Sequence, residues 1–195
     1  ERFGAVELAC LEHIEPPYDS TAEYLVRSDG DVHGYCSFSA YALPQLRALG
    51  WEVHVQPDYP YRVLSADTPW YAAFDSKDDA PDWFELELGV SGDGRRISLV
   101  PALLELVERS PDDSSLAALT RVASRCVALP VGEGLYLPVP TDRLRSVLRI
   151  LRDLYDRRQG LQLTLAHAPD VLELEGALDG AHVEWRGGEP LRQRA

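Results

Sequence analysis

Residues 82–157 contain the same order of hydrophobic and polar segments twice. In each copy an apolar strand is followed by a Gly-acid-Gly turn, a second strand, a proline and an amphipathic helix. The turns are Gly92-Asp93-Gly94 and Gly132-Glu133-Gly134. The first strand alternates, with three apolar residues on one side and two glutamates on the other: Phe84, Leu86 and Leu88 against Glu85 and Glu87. This period of two predicts an antiparallel strand with one buried and one solvated face.

The second copy ends in the best-defined helix of the chain, which we predict from Thr141 to Arg158. Its apolar residues recur at intervals of three and four, as expected for one face of a helix. They are Leu144, Val147, Leu148, Leu151, Leu154 and Tyr155. Thr141 is a suitable capping residue, and Asp142 suits the positive end of the helix dipole.

Outside the repeat, the pattern predicts further strands and two short helices. The strands are expected at 5–11, 22–27, 51–55, 70–74, 161–165 and 171–175, and the helices at 44–49 and 115–124; residues 182–185 are expected to end the folded part. The segment from Arg186 to Ala195 contains two glycines, a proline and three arginines, which is typical of a linker.

These elements predict an α+β fold with mainly antiparallel sheets and a repeated strand-hairpin-strand-helix unit. We expect three parts: a small α/β subdomain over 1–80, a subdomain over 81–185 that holds the repeated ββα units, and a linker over 186–195. The repeated segments have the pattern of structural elements, and they contain no recognisable catalytic motif.

Composition narrows the possible partners. The chain of 195 residues has a net charge of −13, with 22 acidic and 8 basic residues in 1–120 and 10 acidic and 11 basic residues in 121–195. Nucleic-acid binding depends on neutralising phosphates, so this balance disfavours a primary role in it. No run approaches the roughly 18 apolar residues of a membrane helix, and we expect no membrane partner. Three cysteines without framework spacing indicate a reducing compartment.

The sequence offers no nucleotide-binding or catalytic motif. A phosphate-binding loop needs a Gly-x-x-x-x-Gly-Lys segment, but the only lysine, Lys77, follows Ser76 and precedes Asp78. There is no Asp-Glu dipeptide to bind Mg²⁺ and no Gly-x-Ser-x-Gly elbow. We therefore expect no catalytic or cofactor-binding residue. The chain begins Glu1-Arg2-Phe3 and contains no methionine, which favours a piece of a longer protein.

Two short Cys/His pairs form a candidate metal site. Cys10 and His13 are three residues apart, as are His33 and Cys36, and four such ligands could hold a structural zinc ion. The alternative is that the thiols are core residues, since Cys10 also continues the inward series of a strand.

An arginine face on the 141–158 helix is the candidate contact surface. Arg145, Arg149 and Arg152 share one side of it. They could contact a phosphate backbone or an acidic neighbouring domain. The alternative is a solvated face whose charges pair locally with Asp153 and Asp156.

The repeat region resembles the accessory segment that precedes the motor core in bacterial SNF2-family, helicase-like ATPases. The residues that carry the resemblance are 82–90, 94–104 and 135–140 with the helix up to Tyr155. The resemblance implies a non-catalytic domain that packs on or regulates the motor domain of the same chain. By the same resemblance, the parent protein would bind ATP, magnesium and duplex DNA. It would act in the cytoplasm, at the nucleoid. Another protein is a further candidate partner.

A second interpretation is a free-standing protein-interaction or small-ligand-binding module. On that hypothesis, an apolar stripe formed by Trp70, Trp83 and Phe84 would line its pocket.

Overall fold

The protein has an α+β fold in the computed structural model, which describes residues 8–10, 24–26, 31–77, 80–92, 94–119, 121, 124–155 and 161–194. The strands are β1 (Leu8–Cys10), β2 (Tyr24–Val26), β3 (Arg62–Val63), β4 (Trp70–Lys77), β5 (Ala80–Gly92), β6 (Arg95–Ser98), β7 (Cys126–Gly132), β8 (Leu135–Pro140), β9 (Gln162–Thr164) and β10 (Val183–Gly187). The helices are α1 (Val32–Ser37), α2 (Leu43–Ala48), α3 (Val100–Arg109), α4 (Asp113–Leu119), α5 (Thr141–Leu154), α6 (Ala168–Ala177) and α7 (Glu189–Arg194). A π-helical turn joins α1 to α2, and a 3₁₀ turn precedes α6.

The chain divides into two compact units. Unit 1 comprises residues 1–66 and 122–139, and unit 2 comprises residues 67–121 and 140–195. The boundary that we predicted near residue 80 falls between β4 and β5, which pair with each other from Trp70↔Val90 to Lys77↔Ala80. A cut at that position would separate the two strands of one hairpin, whereas the observed boundary lies before β4.

Unit 2 is built on a sheet in the order β10-β4-β5-β6, with β9 also pairing with β5. Among the described residues, its strand pairs are antiparallel except β10 with β4. Alternate side chains of β4, β5 and β9 form a buried face: Trp70, Ala72, Phe74, Phe84, Leu86, Leu88, Val90 and Leu163. The glutamates of β5 lie on the opposite face, as the alternation predicted.

The helices of unit 2 supply matching apolar stripes. In α5 the buried residues are Leu144, Val147, Leu148, Ile150, Leu151 and Leu154, and α5 contacts α3, α4 and α6. The helix starts at Thr141 as predicted, but Pro140 occupies the N-cap position and no side chain caps it. The predicted residues 156–158 lie outside the described part of the chain.

Unit 1 combines a helical segment with small sheets. β1 pairs with β2 in antiparallel register, and β3, β8 and β7 form a second sheet in which β3 and β8 are parallel. The helical segment buries Phe38, Ala42 and Leu46. Tyr35 stacks on Tyr61, with ring centroids 4.5 Å apart.

The two copies of the repeat fold in the predicted order but in different surroundings. The first copy forms β5, β6 and α3, all in unit 2. The second copy forms β7, β8 and α5, and its strands belong to unit 1 while its helix belongs to unit 2. The repeat is therefore a recurring local structure and not a pair of equivalent domains.

Two of the predicted strands are wrong. Residues 51–55 pair with no strand in the described part of the chain. Val53 packs against the helical core of unit 1, whereas Trp51 and Val55 are 49% and 47% exposed. The predicted strand at 171–175 lies inside α6. There Val171, Leu174 and Leu178 are buried, which is helical spacing.

The prediction of a linker over 186–195 is also wrong. Arg186 and Gly187 belong to β10, which pairs with β4, and α7 follows over Glu189–Arg194. Leu191 in α7 is fully buried, and this burial stabilises the segment. The mostly polar composition of the segment gave no indication of it.

Gly89 in β5 is required by close packing. A Cβ atom at this position would lie 2.6 Å from the Tyr71 ring and would also overlap the carbonyl oxygen of Ile97. We expect Gly89→Ala to lower the free energy of unfolding by about 1–3 kcal/mol in chemical denaturation.

Gly176→Ala is the matched control. Gly176 lies in α6, and a Cβ atom added to it would meet no neighbouring side chain within 4 Å. The control variant should be neutral or up to about 1 kcal/mol more stable, because alanine favours a helix more than glycine does. Equal effects of the two substitutions would contradict the packing argument.

Candidate functional site

A groove on the polar face of the unit 2 sheet brings three carboxylates together. It has a volume of about 400 Å³ and is lined by Asp75, Glu85, Leu86, Glu87, Ser98, Val100 and Pro101. Strand pairing decides this grouping, because Asp75 lies directly opposite Glu85 and Ala73 lies opposite Glu87. The floor of the groove is the β4–β5 hairpin, and one wall is the junction of β6 with α3.

A network of aromatic and charged residues lies beside the groove. The Tyr71 hydroxyl donates to Glu87 Oε1 at 2.9 Å, and the Arg96 guanidinium lies over the Tyr71 ring, 4.8 Å from its centroid. Arg96 also pairs with Glu184 at 3.4 Å, and Arg186 pairs with the same carboxylate at 2.7 Å. On this part of the face, the Arg96 guanidinium is therefore held by the Tyr71 ring and the Glu184 carboxylate.

Two groups of this network have shifted pKa values. Burial, assisted by the hydrogen bond to Glu87, raises the pKa of Tyr71 to about 12. The hydrogen bond from Arg186 is the main cause that lowers the pKa of Glu184. Tyr71 thus remains a neutral donor to Glu87, and Glu184 remains a charged acceptor.

The predicted arginine face of α5 is arranged as a set of ion pairs. Arg145 lies 3.4 Å from Asp142, Arg149 bonds Glu173 of α6, and Arg152 lies 2.9 Å from Asp113 of α4. Of the two acidic residues that we considered as local partners, Asp153 lies 3.7 Å from Arg152, and Asp156 is outside the described residues. The side chain of Arg152 is only 21% exposed, so this arginine is better placed for its ion pair with Asp113 than for contact with a partner.

The structure places the described members of the candidate zinc set in other roles. His33 Nδ1 accepts a hydrogen bond of 3.0 Å from the Ala128 amide, so the ring covers a backbone donor of β7. Cys36 is fully buried, and burial followed by proximity to Cys126 raises its thiol pKa to about 12. The Cys10 side chain and all of His13 lie outside the described residues. Among the residues that the structure describes, no three potential ligands are placed to hold a metal ion.

The predicted apolar stripe does not form a pocket lining. Trp70 and Phe84 are 3% and 5% exposed and belong to the buried face of the sheet, whereas Trp83 is 38% exposed on the opposite face. Adjacent residues of a strand point to opposite faces, which separates Trp83 from Phe84.

The sequence alone did not predict the groove, because the groove depends on the register in which β4 pairs with β5. The alternation of Glu85 and Glu87 was visible, but the position of Asp75 opposite Glu85 was not.

Within the described residues, no helix combines the length and apolar character needed to cross a membrane.

No protein-family model, curated protein or solved structure matches the chain. The assignment of function therefore depends on the geometry described above and on the resemblance of the repeat region.

We expect His33→Ala to lower the free energy of unfolding by about 1–3 kcal/mol, because it leaves the Ala128 amide without its acceptor. Chemical denaturation measures the change. His54→Ala is the control, since the His54 side chain is 80% exposed and should alter stability by less than about 0.5 kcal/mol. A similar small change in both variants would show that the His33 bond does not stabilise unit 1.

We also expect stability to fall in alkali through Tyr71. Its pKa rises from 10.0 to about 12 on folding, so its neutral form stabilises the fold fully below pH 10, and this stabilisation is lost as the pH rises towards 12. The free energy of unfolding, measured between these pH values, should fall more steeply for the wild type than for Tyr71→Phe. Parallel pH profiles would contradict the assignment.

Proposed function

We propose that the chain is a non-catalytic accessory domain of an SNF2-type DNA-dependent ATPase, which packs on or regulates the motor domain. The observation that carries the proposal is the first repeat copy. Residues 82–104, which carry the resemblance most specifically, include most of β5, all of β6 and the first half of α3. Their strand β5 lies at the centre of the unit 2 sheet.

The proposal assigns ATP and magnesium to the rest of the parent protein. The only lysine of this chain, Lys77, is not part of a glycine-rich loop, so the residues present do not fit a nucleotide phosphate. We further propose a location in the cytoplasm at the nucleoid, where such a motor would meet duplex DNA.

Charge supports contact with a protein more than direct contact with DNA. The net charge is −13, and the groove presents three carboxylates that would repel phosphates. Arg145, Arg149 and Arg152 remain our candidates for a contact face with the motor or DNA. Any such partner must compete with the acidic residues that already pair with them.

The alternative function is a free-standing protein-interaction or small-ligand-binding module. The observation that favours it is the groove with its exposed neighbour Trp83, which could act without a motor. A coding sequence that lacks any phosphate-binding loop outside these residues would favour this alternative.

The test is DNA-stimulated ATP hydrolysis by the full-length gene product, compared with a form that lacks residues 1–195. We expect hydrolysis to persist after the deletion, with a change of about fivefold or more in its stimulation by DNA, which is the usual range of coupling between domains. A parent without ATPase activity, or a deletion that leaves both rates unchanged, would remove the proposal.

The same assay examines the arginine face. Arg145→Glu should alter DNA stimulation more than Arg47→Glu, which reverses the charge of an exposed arginine in α2 of unit 1. Equal activity of these two variants and the wild type would count against a contact through this face.

A further inference from the structure

We propose that residues 51–55 of unit 1 form the interface of a homodimer, in which this segment pairs in antiparallel register with the same segment of a second copy. The segment reads Trp51-Glu52-Val53-His54-Val55, and we call it the pairing segment. This inference goes beyond the accessory role, because it specifies a second copy as the partner whether or not the chain belongs to a motor protein.

The side chains of the pairing segment alternate between two sides. On one side His54 Nε2 lies 2.9 Å from Glu52 Oε1, and these two side chains are 80% and 85% exposed. Val53, between them, packs against the helical core of unit 1. Residues i and i+2 share a side in an extended chain but not in a helix. The segment therefore has the alternation of a strand, although no described strand pairs with it.

The backbone of the pairing segment has polar groups to offer to another chain. The Trp51 amide donates to the Leu46 carbonyl at 3.0 Å, and the next backbone hydrogen bond along the chain runs from the Tyr59 amide to the Gln56 carbonyl. Among the described residues, no backbone–backbone hydrogen bond involves residues 52–55. An exposed extended segment of this kind can pair with another chain, as the edge of a sheet does.

Exposed apolar side chains are concentrated at the same place. Five large hydrophobic side chains are exposed among the described residues, and three of them lie between positions 49 and 55. They are Leu49, Trp51 and Val55, which are 65%, 49% and 47% exposed. Exposed apolar residues that are scattered singly need no explanation, whereas a group of them favours an interaction surface.

The sequence of the pairing segment is complementary to itself, which argues for a second copy as the partner. When two copies pair antiparallel about a two-fold axis at Val53, Trp51 lies opposite the partner's Val55, and Glu52 lies opposite the partner's His54. Each apolar residue then meets an apolar residue, and each carboxylate meets an imidazole that can donate a hydrogen bond. Directly opposite pairs of this kind stabilise antiparallel strands, and the two-fold axis makes each pair occur twice.

The contact between Glu52 and His54 within one chain does not prevent this pairing. Both side chains are highly exposed, and an exposed pair of this kind contributes little to stability. In the dimer, His54 can donate to the partner's Glu52 instead, so the exchange of partners costs little.

Local charge also favours a second copy, although the whole chain has a net charge of −13. Residues 44–56 contain one arginine, Arg47, and one acidic residue, Glu52, so the net charge of this region is zero with histidine neutral. A strongly charged partner would find no opposite net charge here. Two copies meet without local repulsion, because charges elsewhere on the chain are largely screened by salt beyond a Debye length.

The test is sedimentation velocity of the complete chain over protein concentrations from low micromolar to submillimolar. We expect a reversible, weak dimer, since two short segments make a small interface. Val55→Glu should weaken the dimer about tenfold or more, because the two-fold axis removes two apolar contacts. Leu172→Glu is the matched control. Leu172 is a 44% exposed residue of α6 in unit 2, and its substitution should leave the dissociation constant within about twofold of the wild type.

Charge exchange tests the register. Glu52→Lys places a lysine opposite the partner's His54, and His54→Glu places two glutamates opposite each other. Each variant alone should therefore dimerise about fivefold more weakly than the wild type. A mixture of the two variants should recover the association of the wild type, because both opposite pairs of the mixed dimer then contain one carboxylate and one basic side chain.

Three results would overturn the proposal. They are a chain that stays monomeric over the whole concentration range, equal effects of Val55→Glu and Leu172→Glu, and a mixture of Glu52→Lys with His54→Glu that associates no better than either variant alone. The last comparison does not depend on the stability of the Val55 variant, because both of its substitutions lie at highly exposed positions.

Discussion

Strand β5 is hydrogen-bonded along both of its edges, and the arrangement of unit 2 depends on this pairing. β4 pairs with it along one edge, while β6 and β9 pair with different parts of the other. Because residues of a strand alternate between faces, one set of pairings places Phe84, Leu86 and Leu88 in the core and Glu85 and Glu87 on the polar face. A shift of one residue would exchange the two sets, so the core and the polar face of the sheet cannot change independently.

Close packing restricts that register further. Gly89 leaves room for the Tyr71 ring, which in turn supports Arg96 and bonds Glu87. A hydrophobic contact, a hydrogen bond and a cation–π contact thus meet at one aromatic side chain. The same arrangement that makes Tyr71 inaccessible to water also raises its pKa and keeps its hydroxyl a donor.

Periodicity in the sequence was sufficient for elements whose neighbours are local. The alternation of β5 and the helical stripe of α5 predicted both the element and its buried face. Periodicity predicted the wrong element where contacts with residues distant in the sequence determine the local structure. Residues 51–55 alternate as a strand does but pair with no described strand, and α7 has linker-like composition but buries Leu191. The candidate site depends on register, because Asp75 meets Glu85 only through the pairing of β4 with β5. Similarly, the contact of His33 with Ala128 spans many residues and has no local signal.

Native-state hydrogen exchange of the chain tests the central role of β5 most directly. The amides of Phe84 to Val90 should exchange only through global unfolding of unit 2, with a higher free energy of opening than the amides of the six-residue helix α7, since a short element with few backbone hydrogen bonds opens locally. Gly89→Ala should lower that free energy for β5 and its partner strands together. Fast local exchange of the β5 amides, while α5 remains protected, would contradict the account.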